Sequence, residues 1–160
     1  MIREVDINDI PECVNVITES FMTVAEEIGF TAENAPGFTA FALNEERLLR
    51  HYKNERIRMY VSYDGDKIIG YFSIELSENG ECELNNLCVL PGSRHKKTGE
   101  KLLQAAFALA RENGCKKMNI GIVEENKILR RWYEKHGFLH QGIKKFDFFP
   151  FTCGYMAKIL

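Results

Sequence analysis

The sequence predicts an α/β fold whose sheet is mixed, mostly antiparallel and seven-stranded. Three observations predict it. Residues 58–63, 67–76 and 82–90 read as strands separated by the tight-turn signals Asp64-Gly65-Asp66 and Glu78-Asn79-Gly80, so three antiparallel strands run in succession. Residues 99–113 carry Leu102, Leu103, Ala106, Leu109 and Ala110 at helical spacing and lead into a further strand at 117–123; strand, helix, strand requires a right-handed crossover and a parallel pair. The 160 residues suffice for one core burying roughly 70% of the unfolded surface, so a single domain over residues 1–160 is expected.

Taken in order, residues 2–5 form a short first strand. Asp9-Ile10-Pro11-Glu12 has capping-box spacing and a proline that a first turn tolerates, which starts a helix to about residue 22. Residues 29–37, with Pro36, read as a loop and 40–52 as a second helix. In the strand at 58–63, Met59, Val61 and Tyr63 alternate with Arg58, Tyr60 and Ser62, the mark of two unlike faces. Gly114 stops the 99–113 helix, and Met118, Ile120 and Ile122 give the next strand one apolar face. Asn126 caps a helix carrying Ile128, Leu129, Trp132 and Tyr133 on one stripe, closed by Gly137 in a left-handed cap. Residues 138–145 and 155–160 complete the seven strands, with no repeat, linker or low-complexity tract.

Composition narrows the function. With 45% hydrophobic and 28% charged residues the chain has an ordinary globular balance, and no run approaches the roughly 18 apolar residues of a membrane span. Residues 1–20 contain Asp6, Asp9, Glu12 and Glu19 and lack a basic start followed by an apolar block, so no secretion signal, no membrane partner and a cytoplasmic location are expected. A formal net charge of −2 argues against a surface devoted to nucleic acid. The five cysteines are odd in number, form no C-x-x-C pair and sit mostly among apolar neighbours, so they read as free buried thiols rather than as a metal site or disulfide frame.

Against that balance, Pro91-Gly92-Ser93-Arg94-His95-Lys96-Lys97-Thr98-Gly99 concentrates positive charge between a strand and a helix. Backbone N–H groups at a helix start, with the helix dipole behind them, bind anions, and two adjacent phosphates are a natural guest. A solvated loop that happens to be basic is the alternative. A P-loop is excluded, since its pattern would need glycine at Pro91 and at Lys96.

Val89-Leu90-Pro91 followed by Arg94-His95-Lys96-Lys97-Thr98-Gly99, then Asn126, then Tyr133-Glu134-Lys135-His136-Gly137-Phe138, resembles the GCN5-related N-acetyltransferases, the GNAT superfamily. The match extends over residues 57–160, in the order of elements read above. The resemblance implies helices on both faces of the sheet, a parallel strand pair at an acetyl-CoA site, and acetyl-CoA as co-substrate with no metal. It implies CoA contacts from Leu87, Cys88, Val89, Arg94, His95, Lys96, Lys97, Thr98, Gly99, Glu100 and Asn126. Lys97 departs from the family, which usually has glycine there. Either the loop avoids a left-handed conformation at Lys97 or it carries a cost of about 1–2 kcal/mol.

Acetyl transfer from a thioester to an amine needs a neutral amine, a stabilised oxyanion and a proton for the thiolate. The resemblance places the backbone of Leu87, Cys88 and Val89 beside the pantetheine arm, where a main-chain N–H can polarise the carbonyl. Tyr133 is the expected acid, a phenol protonated at neutral pH and at the family's usual acid position; packing with Ile128, Leu129 and Trp132 is its other reading. Glu83 is the expected base, acting through a water because an ordinary carboxylate matches an ammonium poorly; a charged residue on a wet strand face is its other reading. His95 and His136 read as surface or cap residues. The expected activity is acetylation of a primary amine in a ternary complex, with a non-catalytic acyl-CoA-binding module as the rival and nucleic-acid binding as a weaker third. The acceptor and a homodimer stay open, as does the aromatic segment 146–151, which suits either an acceptor pocket or packing.

Overall fold

The computed structural model describes residues 1–160, the His95 side chain excepted. Seven strands, β1 (Ile2–Glu4), β2 (Ile57–Asp64), β3 (Lys67–Leu76), β4 (Glu81–Val89), β5 (Lys117–Val123), β6 (Leu139–Lys145) and β7 (Thr152–Ile159), form one sheet in the order β1-β2-β3-β4-β5-β7-β6. Every neighbouring pair is antiparallel except β4–β5. The helices are α1 (Ile10–Ile28), α2 (Thr39–Ala42), α3 (Glu45–Lys53), α4 (Thr98–Glu112) and α5 (Lys127–Lys135).

The helices lie on both faces. Phe72, Ile74 and Leu84 of the sheet pack with Leu102, Leu103 and Phe107 of α4 and Tyr133 of α5. On the opposite face Val61, Tyr71 and Cys88 pack with Cys13 and Ile17 of α1 and Leu48 of α3. A Cβ on Gly70 would lie 2.7 Å from Leu102 Cδ1 and 3.2 Å from Cys88 O, so any larger residue there would push the buried Leu102 side chain of α4 away from β3.

Four expectations are corrected. The helix expected over 40–52 is two, because Leu43 is extended (φ −78, ψ 134) and the Asn44 side chain accepts the Arg47 N–H at 2.8 Å, starting α3 anew. Helix α1 runs past residue 22 to Ile28 because Met22, Val24 and Ala25 are covered by an aromatic cluster; Gly29 ends it at φ 86. Its capping box sits one turn earlier than expected: Asp6 accepts from Asn8 N–H, while Asp9 accepts from Asp6 N–H and pairs with Arg3 at 2.6 Å. Glu12 instead accepts the Ile68 N–H of β3 at 2.9 Å, tying helix to sheet. Strand β7 starts at Thr152 rather than 155, since Thr152 N–H is held by the Glu125 carboxylate at 3.0 Å.

Part of the aromatic segment packs, while Phe148 stays 71% exposed. Phe151 is buried against Phe30 and Phe38, with centroids 5.1 and 6.2 Å away, and Phe149 stacks on it at 4.8 Å. The loop before β7 is thereby fastened to the loop after α1.

Candidate active site

Strands β4 and β5 pair through only three rows, Glu81–Lys117, Cys82–Met118 and Glu83–Asn119. Beyond these they continue to Val89 and Val123 without pairing to each other, which opens a wedge in the middle of the sheet. On its other edge β4 remains paired with β3 around a bulge, where Asn86 takes a left-handed conformation (φ 55) that asparagine tolerates better than most residues. The Leu90 N–H bonds back to Ile69 at 2.8 Å, so strand alternation turns the Val89 N–H and C=O toward the wedge.

The basic loop leaves β4 as a 3₁₀ turn, Pro91–Lys96, and enters α4 directly. Lys97 joins them and does adopt the left-handed conformation, φ 57 and ψ 24. The first N–H groups of α4 have no partner within the helix and face outward from its start, as at any helix N-terminus. The charges of the loop are not all aimed alike. Arg94 turns inward: its Nε donates to Val89 O at 3.0 Å, and its Nη2 to Ser20 O at 3.1 Å and Thr23 Oγ1 at 3.0 Å, both on α1. Lys96 is exposed, 3.8 Å from the Asp64 carboxylate. Thr98 is buried, with its hydroxyl toward Ser93 O, and Glu100 lies 3.9 Å from His136 Nε2. A methyl on Gly99 would meet Trp132 and Val89 at 3.8 Å, ordinary contacts, so nothing in the protein itself demands glycine there.

Glu83 stands at the last row of the parallel pair, on the α1–α3 side of the sheet. It borders a cavity of about 400 Å³ lined also by Arg47, His51, Ser73, Glu75 and Asn85, and a second of about 310 Å³ lined by Asn119, Gln141 and Tyr155. Glu83 is exposed to solvent at the cavity mouth; partial desolvation there, and next the carboxylate of Glu75, raise its pKa. Glu75 is its direct cross-strand partner.

Tyr133 lies on the other face. It is 5% exposed, edge-on to Trp132 at 5.0 Å and to Phe138 at 5.3 Å, and burial, then the neighbouring Cys88 thiol, raises its pKa. Packing and a protonated hydroxyl thus coexist at this residue. Burial pushes the Cys88 thiol up to about 12, so it stays protonated and weakly nucleophilic.

Asn126 does cap α5, its side-chain oxygen accepting the Leu129 N–H at 3.2 Å. His136 is a cap residue as well, with Nδ1 2.8 Å from Trp132 O. Leu87 packs partly against the α4-side core, while Cys88 faces α1. The sequence reading missed Arg47, His51, Glu75 and Tyr155. Counting outward from the Ser77–Glu81 closure of the β3–β4 turn reaches Glu75 opposite Glu83, so that one was available; the others depend on where α3 and β7 come to lie.

The chain has relatives in sequence and in fold. The acetyltransferase (GNAT) family profile matches residues 21–138. YjgM, an uncharacterised N-acetyltransferase of Escherichia coli, is 30% identical over 143 residues, covering 88% of this chain and 82% of its own. An uncharacterised N-acetyltransferase of Mycobacterium tuberculosis is 24% identical over 114 residues, 71% of this chain and 73% of its own. Among solved structures, the PaiA N-acetyltransferase of Thermoplasma acidophilum, crystallised with coenzyme A, superposes with a TM-score of 0.84 at 21% identity, covering 100% of this chain and 98% of that one. The ribosomal-protein-alanine N-acetyltransferase of Brucella melitensis gives 0.75 at 20% identity over 100% of this chain and 99% of that one. A sheet split at its one parallel pair, a basic turn at the following helix and a profile match across both have one explanation: the chain belongs to the GNAT acetyltransferase family.

Proposed function

We propose that the protein transfers the acetyl group of acetyl-CoA to a primary amine, directly and within a ternary complex. The observation that carries this reading is the wedge between β4 and β5, with Glu83 on one face of the sheet and Tyr133 on the other. An extended thioester arm laid in the wedge presents its acetyl group to the Glu83 side and its sulfur to the Tyr133 side.

The chain's residues fit such a co-substrate. The free N–H groups of Thr98, Gly99 and Glu100 suit a pyrophosphate, and Gly99, where the protein leaves room for a side chain, suits close approach of a phosphate. Lys97 reaches the left-handed conformation that the family usually assigns to glycine, which answers the departure noted in the sequence. The Val89 N–H is placed to donate to a thioester oxygen, whatever side chain it carries.

Glu83 takes the ammonium proton through a water. Its raised pKa narrows the gap to an amine, and a cavity around it holds the acceptor. The amine nitrogen then attacks the acetyl carbon, the C–S bond breaks, the sulfur receives the Tyr133 proton, and the second proton shed by the nitrogen as it becomes an amide passes to solvent, from which the phenol is reprotonated. Deep burial keeps that proton on the phenol throughout the neutral range. An acyl-cysteine route is disfavoured, because Cys88, the thiol of β4 nearest this chemistry, is held protonated. Incubation of the purified protein with acetyl-CoA and an amine panel, reading free thiol and the mass of the product, tests the reading; CoA binding with no thiol released above hydrolysis for any amine rejects it.

A further inference from the structure

The cavity beside Glu83 carries charge of both signs, two carboxylates from the sheet and a guanidinium from α3. Glu75 and Glu83 project from adjacent strands as direct neighbours, and like charges in that arrangement repel. Across from them Arg47 and His51, four residues apart on α3 and so on one helix face, line the same space. Among the described residues no carboxylate lies within 4 Å of Arg47, and no cation within that distance of Glu75 or Glu83. The two walls therefore close no ion pair across the cavity. Both signs are left facing the cavity.

This arrangement selects among amines. A polyamine is positive along its length and would set one ammonium against Arg47. A simple alkylamine satisfies the carboxylates and leaves the guanidinium unmatched. A cavity of about 400 Å³ is of small-molecule size. Building on the transferase reading above, we propose that the acceptor is a small amino-acid-like zwitterion, its amine beside Glu75 and Glu83 and its carboxylate on Arg47 and His51. The planar guanidinium matches a carboxylate with two parallel hydrogen bonds. His51, whose pKa is lowered by burial and by Arg47 beside it against the opposing pull of Glu75, offers one N–H more.

The test uses matched acceptors: the α-amino acids and 4-aminobutyrate against their decarboxylated counterparts, with butylamine and 1,4-diaminobutane as the plain amine and the diamine. Thiol release gives kcat/KM, and calorimetric titration of the CoA-loaded protein gives affinity without turnover. Acid-bearing amines are expected to lead by roughly tenfold to a hundredfold, the value of one charged hydrogen-bond pair. Arg47→Gln should bring that ratio close to one, while Arg50→Gln, an outward residue paired with Glu46, should leave it intact. Equal or better use of plain amines or diamines overturns the proposal, as does a preference that survives Arg47→Gln. Failure of every zwitterion to bind or react overturns it too. The transferase reading is judged separately, by thiol release with any member of the panel, butylamine and the diamine included.

Discussion

Glu75 and Glu83 face each other directly across the β3–β4 ladder, two carboxylates on the same side of the sheet at the rim of the wedge. Neither has a cationic partner within 4 Å among the described residues, and the Glu75 carboxylate adds to the cost of ionising Glu83.

That relationship predicts a pH profile. The Glu83 pKa is raised by partial desolvation first and by Glu75 second, so Glu75→Gln should shift the acidic limb of kcat/KM to lower pH. Glu83→Gln should cost most at low pH and matter less as the free amine fraction grows. Stability should move the opposite way. A carboxylate with a raised folded pKa contributes stability below its unfolded pKa and loses that contribution as pH rises through the folded one. Glu83→Gln should therefore melt above the parent near pH 7, with the advantage gone by about pH 4. Identical pH profiles for the parent and Glu75→Gln would separate the pair.

Tyr133→Phe retains the ring between Trp132 and Phe138 and removes only the hydroxyl. Melting temperature and CoA affinity should hardly change, while kcat falls about 100- to 10,000-fold, the range of general acid catalysis. Turnover within threefold of the parent, with chemistry shown to be rate-limiting, would make this tyrosine a packing residue alone.

Arg94 and Lys96 should behave differently despite their common charge. Arg94→Ala breaks three hydrogen bonds that fix the turn to β4 and α1, and should lower both stability, by about 1–3 kcal/mol, and CoA affinity. Lys96→Ala loses only an exposed pair at 3.8 Å and should leave stability within about 0.5 kcal/mol. Chemical denaturation with and without CoA distinguishes them; equal effects would mean that charge rather than tethering governs the turn.

Lys97→Gly should stabilise. Relief of the left-handed backbone is worth about 1–2 kcal/mol, and the added freedom of glycine in the unfolded chain returns part of it, leaving a net gain of about 0.5–1 kcal/mol. A fall in denaturation midpoint would show that the lysine side chain contributes more than its backbone conformation costs.

The sequence was most legible where local chemistry decides the outcome. Gly114 and Gly137 do take left-handed conformations, Asn126 does cap its helix, and the turns at Gly65 and Gly80 do join consecutive antiparallel strands. It was least legible where a distant surface decides. Nothing near Ile28 says that α1 continues past Met22, because the apolar cover comes from Phe38 and Phe151. Arg94 reads as one more cation in a basic run, and only the placement of Ser20 and Thr23 on α1 turns it into a brace. Residues 94–99 and Tyr133 were named from motifs, whereas Arg47 and His51 enter the site through the packing of α3 on the sheet.

The left-handed residue Asn86 makes β4 sensitive to its length more than to its composition. Before it, odd-numbered Glu83 and Asn85 look into the cavity beside α3; after it, even-numbered Cys88 and Leu90 occupy that same side, while Val89 belongs to the α4 core. The bulge acts as a frame shift in the strand's in–out alternation. Replacing Asn86 with glycine or aspartate keeps the frame, whereas deleting one residue between Asn85 and Leu87 exchanges the cores that Cys88 and Val89 serve. The strand thus runs in two reading frames, one on the Glu83 side and one on the Val89 side, joined at a single residue.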